Sequence, residues 1–170
     1  METLEQRLGY HFRNQALLKQ ALTHPSLTHE KQRYYEDNQR LEFLGDAVLQ
    51  LVITEYLYAN FPKEQEGRLT KLRARLVSRD ALKTHAQALD LGGYLLMGRG
   101  EEASGGRTRV STLGDAFEAI IGAIYLDSDF PTARDFVLRE TRAALEHDVV
   151  RRKLEISPPA FSRYRFACAR

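Results

Sequence analysis

Apolar residues recur at helical spacing along nearly the whole chain, and no stretch of any length alternates apolar and polar residues as a half-buried strand would. This restricts the chain to an all-α fold. Asn14 precedes the stripe Leu17, Leu18, Ala21 and Leu22, which predicts a capped helix over about 15–23. His24-Pro25-Ser26 ends it, because a residue before proline is pushed out of the helical region. The polar run Thr28–Asp37 reads as an exposed loop. Asn38 is placed to cap a long helix over about 39–60, which stops before Pro62. Another helix is expected from Glu66 to Leu89, closed off by Gly92-Gly93. Gly98–Val110, rich in glycine, serine and arginine, reads as a mobile loop. Ser111 is expected to cap a helix to Asp127, and Pro131 suits the first turn of a last helix over about 131–149.

The 170 residues make one domain's length, and 43% apolar against 28% charged residues excludes a largely disordered chain. The helical domain is expected to occupy residues 1–150. Beyond it, Ile156-Ser-Pro-Pro-Ala-Phe has no periodicity, so 151–170 reads as a basic, unstructured tail. Residues 148–170 hold six basic groups against Asp148 and Glu155, a net of +4. The formal total of +2 therefore leaves a mildly acidic body near −2. Cys168 is the single cysteine, so no intrachain disulfide forms and a reducing, cytoplasmic home is expected. The most apolar stretches, Ala47–Ile53 and Ala119–Leu126, fall far short of the ~20 residues of a membrane span. No apolar signal core follows the N-terminus.

Two acidic pairs carry the first chemical signal. Glu42 and Asp46, at i and i+4, share one face of the 39–60 helix, with Gln39 within about 60° of both. Leu44, Val48 and Leu51 fall roughly opposite and are expected to face the core. Asp115 and Glu118, at i and i+3, share a face of the 111–127 helix. Each pair alone fits a solvated helix face. However, Gly45 lies beside one pair, and Gly114, Ala119, Gly122 and Ala123 surround the other. A glycine inside a helix costs about 1 kcal/mol relative to alanine, so this concentration needs a reason. Close approach of the two acidic faces supplies one. Four carboxylates so gathered would repel unless a cation lay between them or their pKa values rose. Oxygen-only ligation favours Mg²⁺, with Mn²⁺ as a substitute. No Glu-x-x-His occurs, which removes the di-iron bundle, and the five histidines are scattered, which disfavours zinc.

A cationic stripe follows Pro62: Arg68, Lys71, Arg75 and Arg79 at i, i+3, i+7 and i+11, beside Leu69, Leu72 and Leu76. It fits an ordinary solvated face or a track for a phosphate backbone. Glu66, at the helix start, is either a capping acid or a further member of the acidic site. The loop with Arg99, Arg107 and Arg109 matches neither glycine-rich nucleotide signature, so no nucleotide cofactor is expected. Leading directly into the Asp115 helix, it suits a substrate-touching element or a plain surface connection.

The run Asn38-Gln-Arg-Leu-Glu-Phe-Leu-Gly-Asp-Ala-Val-Leu resembles the signature of the ribonuclease III catalytic domain. The likeness extends over roughly residues 4–150. It takes in Ala21-Leu-Thr-His-Pro-Ser26, Glu66-Gly67, Arg73-Ala74, Leu76-Val77-Ser78, Gly98-Arg-Gly-Glu101, Ser104-Gly-Gly-Arg107 and the run Asp115–Asp127. It implies an all-helical domain that forms a homodimer, with one acidic cluster per subunit along a valley for double-stranded RNA. Glu42, Asp46, Asp115 and Glu118 match the family's metal ligands, with Asp46 and Glu118 in the catalytic roles. Glu66 matches a further acidic position at the edge of the site. Phe43 matches an aromatic that plugs into the partner subunit; the other reading is an ordinary core phenylalanine. The implied reaction is Mg²⁺-dependent hydrolysis leaving 5′-phosphate and 3′-hydroxyl ends, in rRNA or mRNA processing. Arg68, Lys71, Arg75, Arg99, Arg107 and Arg109 are the expected RNA contacts.

The chain departs from the family pattern in two places. Gln39 stands where the family usually has Glu; it keeps size and hydrogen-bonding capacity and loses one charge. Metal binding is expected to survive, weakened, because Gln39 is outside the four-carboxylate set. Nothing after Glu155 resembles the start of the double-stranded-RNA-binding domain that usually follows, although Arg163-Tyr-Arg-Phe alternates cations with aromatics. A non-catalytic RNA-binding or ribosome-associated scaffold of the same fold would be expected to lose some carboxylates, and all four are present. The mini-ribonuclease III form differs in substrate only, and the longer chain with its 98–110 loop looks more like the full bacterial enzyme.

Overall fold

The computed structural model describes residues 3–31 and 36–150, all helices and connections apart from one isolated parallel bridge between Thr23 and Leu96. The expected tail 151–170 and residues 32–35 of the polar run lie outside the described residues. The helices are α1 (Leu4–Leu8), α2 (Gln15–Ala21), α3 (Pro25–Lys31), α4 (Gln39–Asn60), α5 (Glu66–Leu76), α6 (Arg79–Ala88), α7 (Leu91–Tyr94), α8 (Arg99–Ala103), α9 (Val110–Asp127) and α10 (Phe130–Val150), with a 3₁₀ turn at Gly106–Thr108 before α9.

The core is built around α9, which is apolar on almost every side: Leu113, Ala116, Phe117, Ala119, Ile120, Ile121, Ala123 and Ile124 are all buried. A helix hydrophobic all round must be surrounded, and α2, α4, α6 and α10 pack against it. The α4 contact is the tightest. A Cβ on Gly45 would overlap the carbonyl oxygen of Glu118 and come 2.9 Å from the Gly122 nitrogen. A Cβ on Gly122 would in turn overlap the carbonyl oxygen of Leu41. Two backbones touch here, so side chains about one turn before the two glycines, Glu42 and Glu118, are brought together across the seam. Gly114 plays no part in this approach; it faces α6, where a Cβ would rest 3.7 Å from Leu82 Cβ in ordinary contact.

Several expected boundaries shift. The polar run is not loop throughout: Pro25 opens α3, its fixed φ suiting a first helical position. Asn38 does not cap α4. It is buried, makes no capping hydrogen bond, and leaves the Gln39 N–H to Asp37 Oδ1 at 3.2 Å. The helix expected over 66–89 is two helices. Ser78 adopts an extended conformation (ψ 152°) and its hydroxyl accepts from the Ala81 N–H at 3.3 Å, capping α6 while α5 ends at Leu76. Ser111 lies inside α9, which starts at Val110 after an extended Arg109.

The 98–110 segment is not a bare loop. It folds into α8 and the 3₁₀ turn, held by ion pairs. Arg107 grips Glu102 with Nε and Nη2 at 2.5 and 2.6 Å and donates from Nη1 to the carbonyls of Gly92 and Leu95, both at 2.8 Å. Arg109 pairs with Glu101 and donates to Ser104 Oγ at 3.0 Å.

Candidate metal centre

Glu42 from α4 meets Asp115 and Glu118 from α9 across the Gly45–Gly122 seam. One carboxylate oxygen of each lies within 4.8 Å of the others, and all three residues are half-buried. Adjacent ligands of an octahedral Mg-sized ion stand about 3.0 Å apart and opposite ones about 4.2 Å. Three oxygens this close need only a small inward movement to share one hard dication, and the donor set is wholly carboxylate. The residues therefore fit such an ion. Asp46, one turn beyond Glu42, is outside this trio; its Oδ1 accepts from Gln50 Nε2 at 3.3 Å. Its charge still reaches Glu42 and Glu118.

The electrostatics follow from the packing. Burial, then the charges of Asp46, Glu42 and Asp115, push the Glu118 carboxyl up to about 8. Burial and the neighbouring Asp115 and Asp46 raise Glu42 as well. Asp115 is raised by burial, against which the charges of Arg79 and His24 act. Glu118 thus carries a proton at neutral pH in the metal-free protein. A buried acidic cluster that must share protons when empty is poised to exchange them for a cation.

The remaining expected residues are placed as follows. The core side of α4 is Leu41, Gly45, Val48, Leu49, Val52, Ile53 and Leu57. Leu51 is therefore not a core residue: it is 56% exposed, and Leu44 is only partly buried. Phe43 is 82% exposed, which excludes the ordinary core reading. Leu51, Tyr58 and Leu126 are exposed as well, and Leu126 lines the same hollow as Phe43, so apolar surface is left uncovered there. Gln39 is exposed at the start of α4 and lines a hollow beside Phe43 with Leu17, Gln20, Leu44 and Leu126.

Glu66 is not brought to the trio within this chain. It opens α5, accepts from Thr70 Oγ1 at 2.7 Å, and lines a cavity of about 640 Å³ with Thr54, Tyr58, Phe61, Leu69 and Arg73. Thr54 is three turns along α4 from Glu42, about 18 Å away at 1.5 Å per residue. Arg68 pairs with Glu64 at 3.0 Å, and Lys71 and Arg75 are exposed on α5. Arg99 is exposed at the start of α8. Arg107 and Arg109 spend their guanidinium groups on the ion pairs that shape 98–110. Sequence reasoning put Arg79 on the α5 stripe and missed its nearness to the carboxylates; Ser78, a good cap residue in mid-pattern, was the available signal.

A family model described as Ribonuclease-III-like matches residues 14–145. The chain belongs to the ribonuclease III family. Ribonuclease 3 of Desulforamulus reducens is 53% identical over 153 residues, which is 89% of this chain and 62% of that protein. Ribonuclease 3 of Syntrophomonas wolfei is 56% identical over 124 residues, 73% of this chain and 53% of that protein. The chain thus spans little more than half the length of these ribonuclease III relatives. Among solved structures, a ribonuclease III nuclease domain from Campylobacter jejuni, described for flexibility in a region involved in dimer formation, superposes with a TM-score of 0.78 at 47% identity. That match covers 82% of this chain and 94% of the other. The all-α fold and the family read from the Asn38 signature are both borne out.

Proposed function

We propose that this domain hydrolyses phosphodiester bonds in double-stranded RNA, using Mg²⁺ (or Mn²⁺) held by Glu42, Asp115 and Glu118 with Asp46 beside them. The observation that carries this reading is the trio of carboxylate oxygens within 4.8 Å, on the two helices that bear the family signature. When bound, the ion supplies a water of lowered pKa and positive charge for the phosphate oxygens. The protein's part is to hold the ligands rigid. The backbone contact at Gly45 and Gly122 fixes the α4–α9 separation, and burial of the carboxyls strengthens their hold on a cation. To serve as a ligand, Glu118 would have to be ionised, its proton passing to solvent. Asp46, anchored to Gln50, stays close enough to add charge and to orient water next to the reacting phosphate. Duplex RNA is recognised through phosphates and 2′-hydroxyls rather than base edges. In rRNA or mRNA processing in the cytoplasm, the products carry 5′-phosphate and 3′-hydroxyl ends. No helix among the described residues is long and apolar enough to cross a membrane. Incubation with duplex RNA and Mg²⁺, then with EDTA, tests the reading; intact RNA in the Mg²⁺ arm overturns it.

The proton on Glu118 makes a pH prediction. Because its folded pKa of about 8 exceeds the unfolded 4.5, the metal-free protein loses stability as pH climbs from 4.5 toward 8. Binding Mg²⁺ below pH 8 must release that proton. The half-activating Mg²⁺ concentration is therefore expected to fall about tenfold per unit from pH 6 to 8, then level off. Mg²⁺ titrations of cleavage at fixed ionic strength measure it, and a flat profile would exclude proton release on binding.

The uncovered surface around Phe43 is assigned to a second copy of the chain. Phe43→Ser is expected to turn a dimer into a monomer in sedimentation equilibrium while leaving helicity unchanged, since the ring is 82% exposed in the protomer. A variant that associates like the wild type removes Phe43 from the interface.

A further inference from the structure

The break between α5 and α6 separates Arg79 from the cations it follows in sequence. Ser78 caps α6, so Arg79 is its first residue. One turn later Leu82 reaches α9, its Cβ 3.7 Å from where a Cβ on Gly114 would sit. Gly114 immediately precedes Asp115 and lies one turn before Glu118. Residues at i and i+3 share a helix face, so Arg79 leaves α6 on the side that Leu82 turns toward α9, next to the carboxylates. Consistent with this, the Arg79 charge is felt at Glu42, Asp115 and Glu118, which come from two different helices.

Arg79 is exposed, and no hydrogen bond or ion pair engages its guanidinium among the described residues. Other arginines nearby in the chain are committed: Arg68 to Glu64, Arg73 to Thr54, Arg107 to Glu102 and Arg109 to Glu101. A polyanion approaching the trio meets negative charge at close range. An uncommitted guanidinium, with five N–H donors in a fork that matches a phosphate, is the group that offsets this repulsion at the site itself.

We propose that Arg79 contacts substrate: its guanidinium receives a phosphate of the RNA strand beside the bond presented to Glu42, Asp115 and Glu118. The proposal rests on the reading of this site as a duplex-RNA hydrolase. It sets Arg79 apart from Arg107 and Arg109, whose charges are used to build the 98–110 segment.

The test is steady-state cleavage of a defined duplex RNA by wild type, Arg79→Gln and Arg79→Lys at saturating Mg²⁺ over a range of KCl. Arg79→Gln is expected to lower kcat/KM by about 10- to 100-fold, the worth of one charge-assisted contact. It should also reduce the slope of log(kcat/KM) against log[KCl] by about one. Arg79→Lys should restore the slope and only part of the rate, because an ammonium lacks the fork. An unchanged kcat/KM and slope in Arg79→Gln overturn the proposal. So does a changed Mg²⁺ requirement with wild-type kcat/KM once Mg²⁺ saturates, which would mean that Arg79 acts only on the carboxylates. A wild type that leaves duplex RNA intact is seen in its own arm and removes the hydrolase reading, and this proposal with it.

Discussion

Glu118→Gln is expected to abolish cleavage of duplex RNA while the protein stays folded and associated. The substitution keeps the shape of the side chain and removes the charge that a divalent ion needs. Activation of water and stabilisation of a phosphate by a metal are worth several kcal/mol, and each 1.36 kcal/mol is tenfold in rate, so single-turnover cleavage should fall by about a thousandfold or more. Stability should move the other way. Glu118 is half-buried among Asp46, Glu42 and Asp115, and its carboxyl resists ionisation up to about 8. A neutral amide escapes that repulsion, so thermal unfolding in EDTA at pH 8 or above should occur at the wild-type temperature or higher. Asp46→Asn is expected to cost activity as severely. Wild-type cleavage by either variant would sink the metal-centred mechanism, whereas a loss of helicity would leave the activity loss without mechanistic meaning.

Gly45→Ala is expected to be the most damaging single-methyl change in the fold. The added Cβ would overlap the Glu118 carbonyl oxygen and lie 2.6 Å from its carbon, and both atoms are backbone with no rotamer to yield. Relief requires α4 and α9 to separate, and these two helices contribute more buried apolar residues than any other pair. Overpacking costs typically 1–3 kcal/mol, and backbone collision belongs at or beyond the upper end; the better helix propensity of alanine returns at most about 1 kcal/mol. A net loss of about 2 kcal/mol or more corresponds, for a domain of this size, to a melting temperature lower by roughly 4–8 °C or more. Gly114→Ala is the internal control. Its Cβ would rest in ordinary contact with Leu82, so the propensity gain should stand and the variant should match or exceed wild type in urea denaturation. Equal stability of the two variants would refute the close approach on which the site depends. Movement of Glu118 in Gly45→Ala should also weaken Mg²⁺ activation.

The two acidic pairs and the glycines between them were legible because helical spacing is a local property. Residues at i, i+3 and i+4 share a face whatever surrounds the helix, and glycines that weaken a helix beside carboxylates point to a close approach, which Gly45 and Gly122 make and Gly114 does not. The long helix over 39–60 and the end of α9 at Asp127 were readable for the same reason. Which carboxylates converge was not. Asp46 stays outside the trio because the crossing of α4 and α9, centred on Gly45 and Gly122, turns Glu42 toward Asp115 and leaves Asp46 against Gln50.

The chain order of residues settled the all-α class, the pairing of acids and the identity of the signature run, since all three depend on neighbours within two helical turns. It left undecided which of two apolar sides of α4 turns inward. Leu44, Val48 and Leu51 looked like the core face, yet packing on α9 buries Leu41, Gly45, Val48 and Val52 and leaves Phe43 and Leu51 uncovered. A helix with apolar residues on both sides has no periodic signal to choose between them. The same holds for charge. Arg107 and Arg109 in a glycine-rich stretch look available to a polyanion, until folding brings Glu102 and Glu101 within reach of their guanidinium groups. Whether an arginine serves the protein or its substrate depends on what lies across from it, and only the folded chain puts the two face to face.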